Sequence, residues 1–159
     1  MSKSNKDWSM NEEAMNFILQ KLSKKKKTIL EIGSGRSTEK LSKFFTVTSI
    51  EENINWVGKY NAEYIYAPIK NNWYDIDVLK ENNLSKKKFD IIIIDGPAYG
   101  KRMGFLKNLN FFDIKNSIII VDDIERKEDT VLLKNIIEVK KQLNGVASWT
   151  AIHNVAFVR

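Results

Sequence analysis

Three aspartates close apolar runs: Asp95 ends F-D-I-I-I-I-D (89–95), and Asp122 and Asp123 end S-I-I-I-V-D-D (117–123). Carboxylates placed together in this way can hold a divalent cation through oxygen ligands, or take the proton of a hydroxyl that is about to react. A second set of residues is suited to binding. E-I-G-S-G-R-S-T (31–38) sets Gly33 and Gly35 just after an apolar run, where a tight bend brings backbone N–H groups close to a ligand. The helix start that follows favours an anionic group. Glu51 ends the next apolar run 20 residues after Glu31, a spacing from which an acid accepts hydrogen bonds from ribose hydroxyls. Together these features describe a site for a nucleoside-containing cofactor.

Other chemistries are excluded by what is missing. The chain has no cysteine, which removes disulfides, thiolate catalysis and Cys-ligated zinc. Its one histidine, His153, lies among the last seven residues, is read as structural, and cannot furnish a multi-histidine metal site. A nicotinamide dinucleotide would want G-x-G-x-x-G, but Thr38 stands where the third glycine belongs, and no P-loop pattern occurs.

Several residues keep two readings. Asp95, Asp122 and Asp123 are either metal ligands or caps of the turns that follow their strands. Lys101, Arg102 and Arg126 either pair with those carboxylates or bind an acidic acceptor such as a uronate or phosphate. Trp73 and Tyr74 either lie flat against a base or pack in the core.

The elements that must position these residues alternate. Ser9 and Glu12 form a capping-box signature ahead of a first helix over about 10–23, with Ala14, Phe17, Ile18 and Leu22 at helical spacing. Strands are predicted at 28–33, 46–51, 63–67, 89–95 and 117–123. Between them lie a helix start at 34–41, a short helix at 54–60, an irregular or partly helical crossing at 71–83 and a helix over 101–112. A long amphipathic helix over 128–143 ends at Asn144-Gly145, and an antiparallel hairpin turns at His153-Asn154. The pattern predicts one domain, 1–159, with its core over 28–159: a doubly wound, Rossmann-like α/β sheet of seven mostly parallel strands with a C-terminal antiparallel hairpin. Ligands of such sheets sit at the carboxyl ends of the strands, where every residue named above falls.

The 159 residues carry 26 Lys+Arg against 20 Asp+Glu, a net charge of +6. Much of the excess lies in Lys24 to Lys27 and Lys86 to Lys88, read as solvated lysine flanking strands, with a polyanion site as the alternative. No apolar run reaches membrane-spanning length and the N-terminus has no secretory signal, so a cytoplasmic protein without a membrane partner is expected.

With these motifs in hand, the chain resembles the class I S-adenosylmethionine-dependent methyltransferases over nearly its whole length, terminal hairpin included. E-I-G-S-G-R-S-T, S-I-E-E-N-I-N-W, D-G-P-A-Y-G-K-R-M and V-D-D-I-E-R are similar to small, mostly bacterial members. D-G-P and the later R-M also resemble enzymes that O-methylate uronic acids of plant cell-wall polysaccharide. The resemblance implies S-adenosylmethionine as cofactor, with Gly33, Ser34, Gly35, Ser37 and Thr38 around its methionine part and Glu31 nearby. It also implies Glu51 at the ribose, Trp73, Tyr74 or Ile50 beside the adenine, and Asp95 at the reacting end. Asp95 and Lys101 are the implied catalytic residues, and Arg102 and Arg126 the substrate-binding ones. The aspartate trio is similar to the Mg²⁺ site of catechol-type O-methyltransferases, which have Asp-Asn where this chain has Asp122-Asp123. O-methylation of a small or saccharide acceptor is therefore expected, with a homodimer as one way of completing the site. The alternatives are methylation of RNA and a non-catalytic, cofactor-binding assembly module.

Overall fold

The computed structural model describes residues 9–98 and 100–159. Residues 1–8, read above as lacking a signal, and Tyr99 of the D-G-P-A-Y-G-K-R-M motif lie outside the described residues.

The apolar runs form a seven-stranded sheet. Its strands are β1 (Thr28–Ile32), β2 (Thr46–Glu51), β3 (Glu63–Tyr66), β6 (Ile91–Ile94), β7 (Ile118–Val121), β8 (Trp149–Ile152) and β9 (Val155–Val158), in the order β3-β2-β1-β6-β7-β9-β8. The first five run parallel; β9 is antiparallel to β7 and β8 antiparallel to β9. The isoleucines of β6 and β7 are buried on both faces, which is why these strands read as continuous apolar runs. Ile29, Ile91, Ile93 and Ile120 pack on one side with Ala14, Met15 and Ile18 of α1 (Glu12–Gln20). Leu30, Ile32, Ile92, Ile94, Ile119 and Val121 pack on the other, with Leu79 of α3 (Ile76–Glu81) and Leu132, Leu133 and Ile136 of α5 (Lys127–Asn144). The expected doubly wound sheet and terminal hairpin are both present. Gly145, at φ +77°, ends α5 and donates its N–H to the Lys141 carbonyl.

Three local expectations are corrected, and the partly helical crossing gains detail. The cap of α1 is Asn11, whose side chain accepts from the Ala14 N–H; Ser9 instead lies at the functional cavity. The helix expected over 54–60 is a series of turns. The Asn53 side chain accepts from the Asn55 N–H, and Gly58 takes φ +76°, which interrupts helical continuation. The helix expected over 101–112 is reduced to α4 (Gly104–Lys107) and a 3₁₀ turn at Leu109–Phe111, because the Asn108 backbone leaves the helical region. Finally, the crossing at 71–83 contains a two-stranded ribbon, β4 (Ile69–Lys70) with β5 (Trp73–Tyr74), ahead of α3. Asn71 and Asn72 both take positive φ, as a two-residue hairpin turn requires. The remaining helix, α2 (Arg36–Leu41), follows the glycine turn.

At one border of the sheet β8 is largely exposed and carries no charged residue, and Trp149 is 52% exposed. Among the described residues no helix is long and apolar enough to cross a membrane.

Candidate active site

A cavity of about 700 Å³ opens at the carboxyl ends of β1, β2, β6 and β7. The turn after β1 forms its floor. Gly33, at φ +93°, sits so close to the turn after β6 that a Cβ there would lie 2.8 Å from Gly96 Cα. Only glycine allows this approach, which brings the two turns together. Ser34 N–H donates to Glu51 Oε2 at 2.7 Å, and Asn53 N–H donates to Glu51 Oε1 at 2.7 Å, so the acid that ends β2 organises two loops. Burial raises the Glu51 pKa above the usual carboxylate range, against the lowering effect of these N–H bonds.

Behind this floor is a buried polar network. Glu31 Oε2 accepts from Thr38 Oγ1 at 2.7 Å and Ser49 Oγ at 3.1 Å, while Thr38 Oγ1 accepts from the Gly35 N–H. Burial pushes the Glu31 pKa up to about 8 despite the two hydroxyl donors. Ser37 is also buried, its hydroxyl accepting from the Met10 N–H and tying the N-terminal segment to α2. Glu31, Ser37 and Thr38, expected at the cofactor, thus shape the turn from behind; Gly33, Ser34, Gly35 and Glu51 line the cavity itself.

The opposite wall is built from the three aspartates and one arginine. Carboxylate oxygens of Asp95, Asp122 and Asp123 all lie within 4.8 Å of one another. Asp95 is pushed well above its ordinary range, first by burial and then by the charge of Asp122, with Arg102 opposing. Asp122 rises to about 6 through burial and the charge of Asp123, and it shares a hydrogen bond with Asp95. Two carboxyls buried side by side each disfavour ionisation of the other.

Arg102, 4% exposed, is expected above as a substrate residue but has a different role. Nε donates to the Pro97 carbonyl, Nη1 to the Asp122 carbonyl, and Nη2 to the Asp95 carbonyl at 2.7 Å and Asp123 Oδ2 at 3.2 Å. Nη1 also lies 3.5 Å from Asp129 of α5, a fully buried acid raised to about 6 by burial against the pull of Arg102. Its five donors are directed at protein atoms, so it staples the turns after β6 and β7 to α5.

Arg126 lines the cavity and pairs with Asp123 at 3.1 Å. Lys101 is half-buried and is not a lining residue. Tyr74 reaches the cavity from the ribbon, with burial first among the causes that raise its hydroxyl pKa, and makes no hydrogen bond among the described residues. Trp73, its neighbour, is corrected to the core: it is 3% exposed and packs on Gly104, where a Cβ would meet its ring at 2.5 Å. His153 pairs with Glu13 at 3.0 Å on the surface.

Sequence reasoning gave no role to Glu52, Asn53 or Trp56, which also line the cavity. Glu52 Oε2 is buried with no hydrogen-bond partner among the described residues. All three follow directly on Glu51 in S-I-E-E-N-I-N-W, and their position after a strand end was the available signal. The lining holds five acids against two arginines.

No family model matches the sequence, and no curated protein matches it. Solved structures match its fold. MycE methyltransferase from the mycinamycin biosynthetic pathway, solved with Mg and SAH, aligns at TM-score 0.63 and 19% identity over 92% of this chain. A Staphylococcus aureus protein assigned as a caffeoyl-CoA O-methyltransferase aligns at 0.58 and 17% over 94%, and an rRNA methylase from Streptococcus thermophilus at 0.54 and 13% over 92%. The chain spans 45% of the MycE chain, 84% of the second and 93% of the third. At these identities the likeness concerns architecture alone: the chain has the fold of the class I S-adenosylmethionine-dependent methyltransferases.

Proposed function

We propose that this chain is an S-adenosylmethionine-dependent methyltransferase acting on a hydroxyl of a small or saccharide acceptor. The carrying observation is the cavity at the strand ends, with a glycine turn and Glu51 on one side and the clustered carboxylates of Asp95, Asp122 and Asp123 on the other. The residues present fit the cofactor. The Gly33 cradle, the unpaired Glu52 oxygen and the Glu51 carboxylate supply a close backbone approach and acceptors for a diol. When bound, the cofactor supplies an electrophilic sulfonium methyl, so the protein's task is to align an oxygen and remove its proton.

Asp95 is the group placed for that task, with Asp122 beside it to share the proton. Arg102 holds both turns still, and Arg126 is a second cation in the lining. The three carboxylates also fit a divalent ion by donor type, and such an ion would lower the pKa of an acceptor hydroxyl. Five acids in the lining disfavour a phosphate-rich acceptor, which would meet like charge at the reacting end.

Calorimetric titration with S-adenosylmethionine and S-adenosylhomocysteine, each with and without Mg²⁺ and with NAD as control, tests this reading. Saturable binding of the first two is expected. Absence of binding by demonstrably folded protein would overturn the reading and favour an assembly module. A metal-dependent affinity would assign the aspartate trio as ligands.

A further inference from the structure

The lysine runs Lys24 to Lys27 and Lys86 to Lys88 are far apart in the chain, yet they enter the sheet side by side. The strands they precede, β1 and β6, pair in parallel with Ile29 opposite Ile91. Asp90 Oδ2 joins the two loops, accepting from the Lys27 N–H at 2.7 Å and the Thr28 N–H at 3.1 Å. On one side β2 enters with Thr46 N–H donating to the Lys27 carbonyl at 2.9 Å, which brings in Lys43 and Phe44. On the other, Ile118 N–H donates to the Asp90 carbonyl at 2.9 Å and brings in Lys115.

The loops at 21–28, 42–46, 84–90 and 112–118 together hold ten lysines and two acids. Both acids are engaged: Asp90 as described, and Asp113 by the Asn116 side-chain amide at 3.0 Å. Lys24, Lys25, Lys27, Lys43, Lys86 and Lys88 are exposed. The buried Lys140 amine is held below its ordinary pKa by burial, with Asp113 opposing and Lys26 adding to the lowering.

The loops that carry the lysines therefore follow one another along the amino ends of four adjacent strands, β2-β1-β6-β7. A row of point charges matches a line of phosphates, and Phe44, 54% exposed, stands beside it as a stacking face. We propose that the amino edge of the sheet is a docking surface for the phosphodiester backbone of single-stranded RNA. The cavity opens at the other ends of the same strands, about 15 Å away for a five-residue strand. RNA lying along the lysine row therefore docks the protein and does not feed its reacting end. The inference stands apart from the methyl-transfer reading.

The test is fluorescence anisotropy of the full chain with a labelled 12-residue oligouridylate across a salt series. Micromolar binding is expected, and with four to six phosphates neutralised the log–log salt slope should be about −3 to −4. The triple variant Lys25→Glu, Lys86→Glu, Lys88→Glu should lose at least tenfold in affinity and flatten the slope. Lys127→Glu, at the start of α5, should match the parent. Circular dichroism and an unchanged affinity for S-adenosylhomocysteine in the triple variant keep this result separate from any failure of the cofactor site. Equal RNA binding by the triple variant, salt-independent binding, no binding, or preference for anionic phospholipid vesicles over RNA would each overturn the proposal.

Discussion

The two edges of the sheet are both crowded with charge, but they handle it in opposite ways. At the carboxyl edge Asp95, Asp122, Asp123 and Asp129 are gathered around the Arg102 guanidinium, largely out of water. At the amino edge most of the lysines stand in solvent, with no carboxylate partner among the described residues; Lys87, which pairs with Glu63 at 2.6 Å, differs. Charge removed from water must be satisfied by geometry, so its pKa values move and its loss is costly. Charge left in water costs little to keep and acts on partners at a distance. One edge is arranged for chemistry and the other for association.

This contrast predicts a graded set of outcomes. Arg102→Met should be the most damaging, lowering stability by about 3–5 kcal/mol at pH 7 in urea denaturation, because it strands four acids and three carbonyls. The loss should shrink at pH 5, below the values of about 6 for Asp122 and Asp129, where those carboxyls are neutral. A loss under about 1 kcal/mol would break the contrast.

Glu31→Gln should act in the other direction. The native Glu31 pKa is raised from 4.5 to about 8, so the folded state holds a proton that the unfolded state releases. Parent stability attributable to this site therefore falls as pH rises from about 4.5 to 8. The amide variant should match the parent below that window and exceed it by about 5 kcal/mol above it, as denaturation midpoints across pH would reveal.

Gly33→Ala should cost about 2–3 kcal/mol and abolish S-adenosylhomocysteine binding, since the new Cβ meets Gly96 and the φ is unsuited to alanine. Glu51→Ala should weaken that ligand by about tenfold in calorimetry while leaving the fold in place, sharpening the assignment of the cavity. At the amino edge, Lys25→Glu should change stability by no more than about 0.5 kcal/mol in the same urea assay.

Sequence patterning revealed the sheet because its central strands read clearly: I-I-I-I and I-I-I-V are doubly buried runs closed by Asp95 and Asp122, while the glycine turn follows β1 and Glu51 ends β2. It did not reveal Arg102 as a staple, because five of its partners are carbonyls or acids spread from Asp95 to Asp129 that only the folded turns bring together. Trp73 and Tyr74 show the same limit. Adjacent aromatics point to opposite faces of a ribbon, and which one meets the cavity depends on the Asn71-Asn72 turn. The lysine runs were visible as composition, but their convergence belongs to the parallel pairing of β1 and β6.

The uncharged border strand β8 has a consequence for the protein in concentrated solution. W-T-A-I offers unpaired backbone groups with neither lysine nor proline to deter another strand. Mutual repulsion between molecules of net charge +6 is then the main colloidal safeguard, and it is long-ranged only at low ionic strength. Raising salt to about 1 M shortens that reach to about 3 Å. Concentrated stocks should accordingly keep best in dilute buffer and self-associate edge to edge as salt is added.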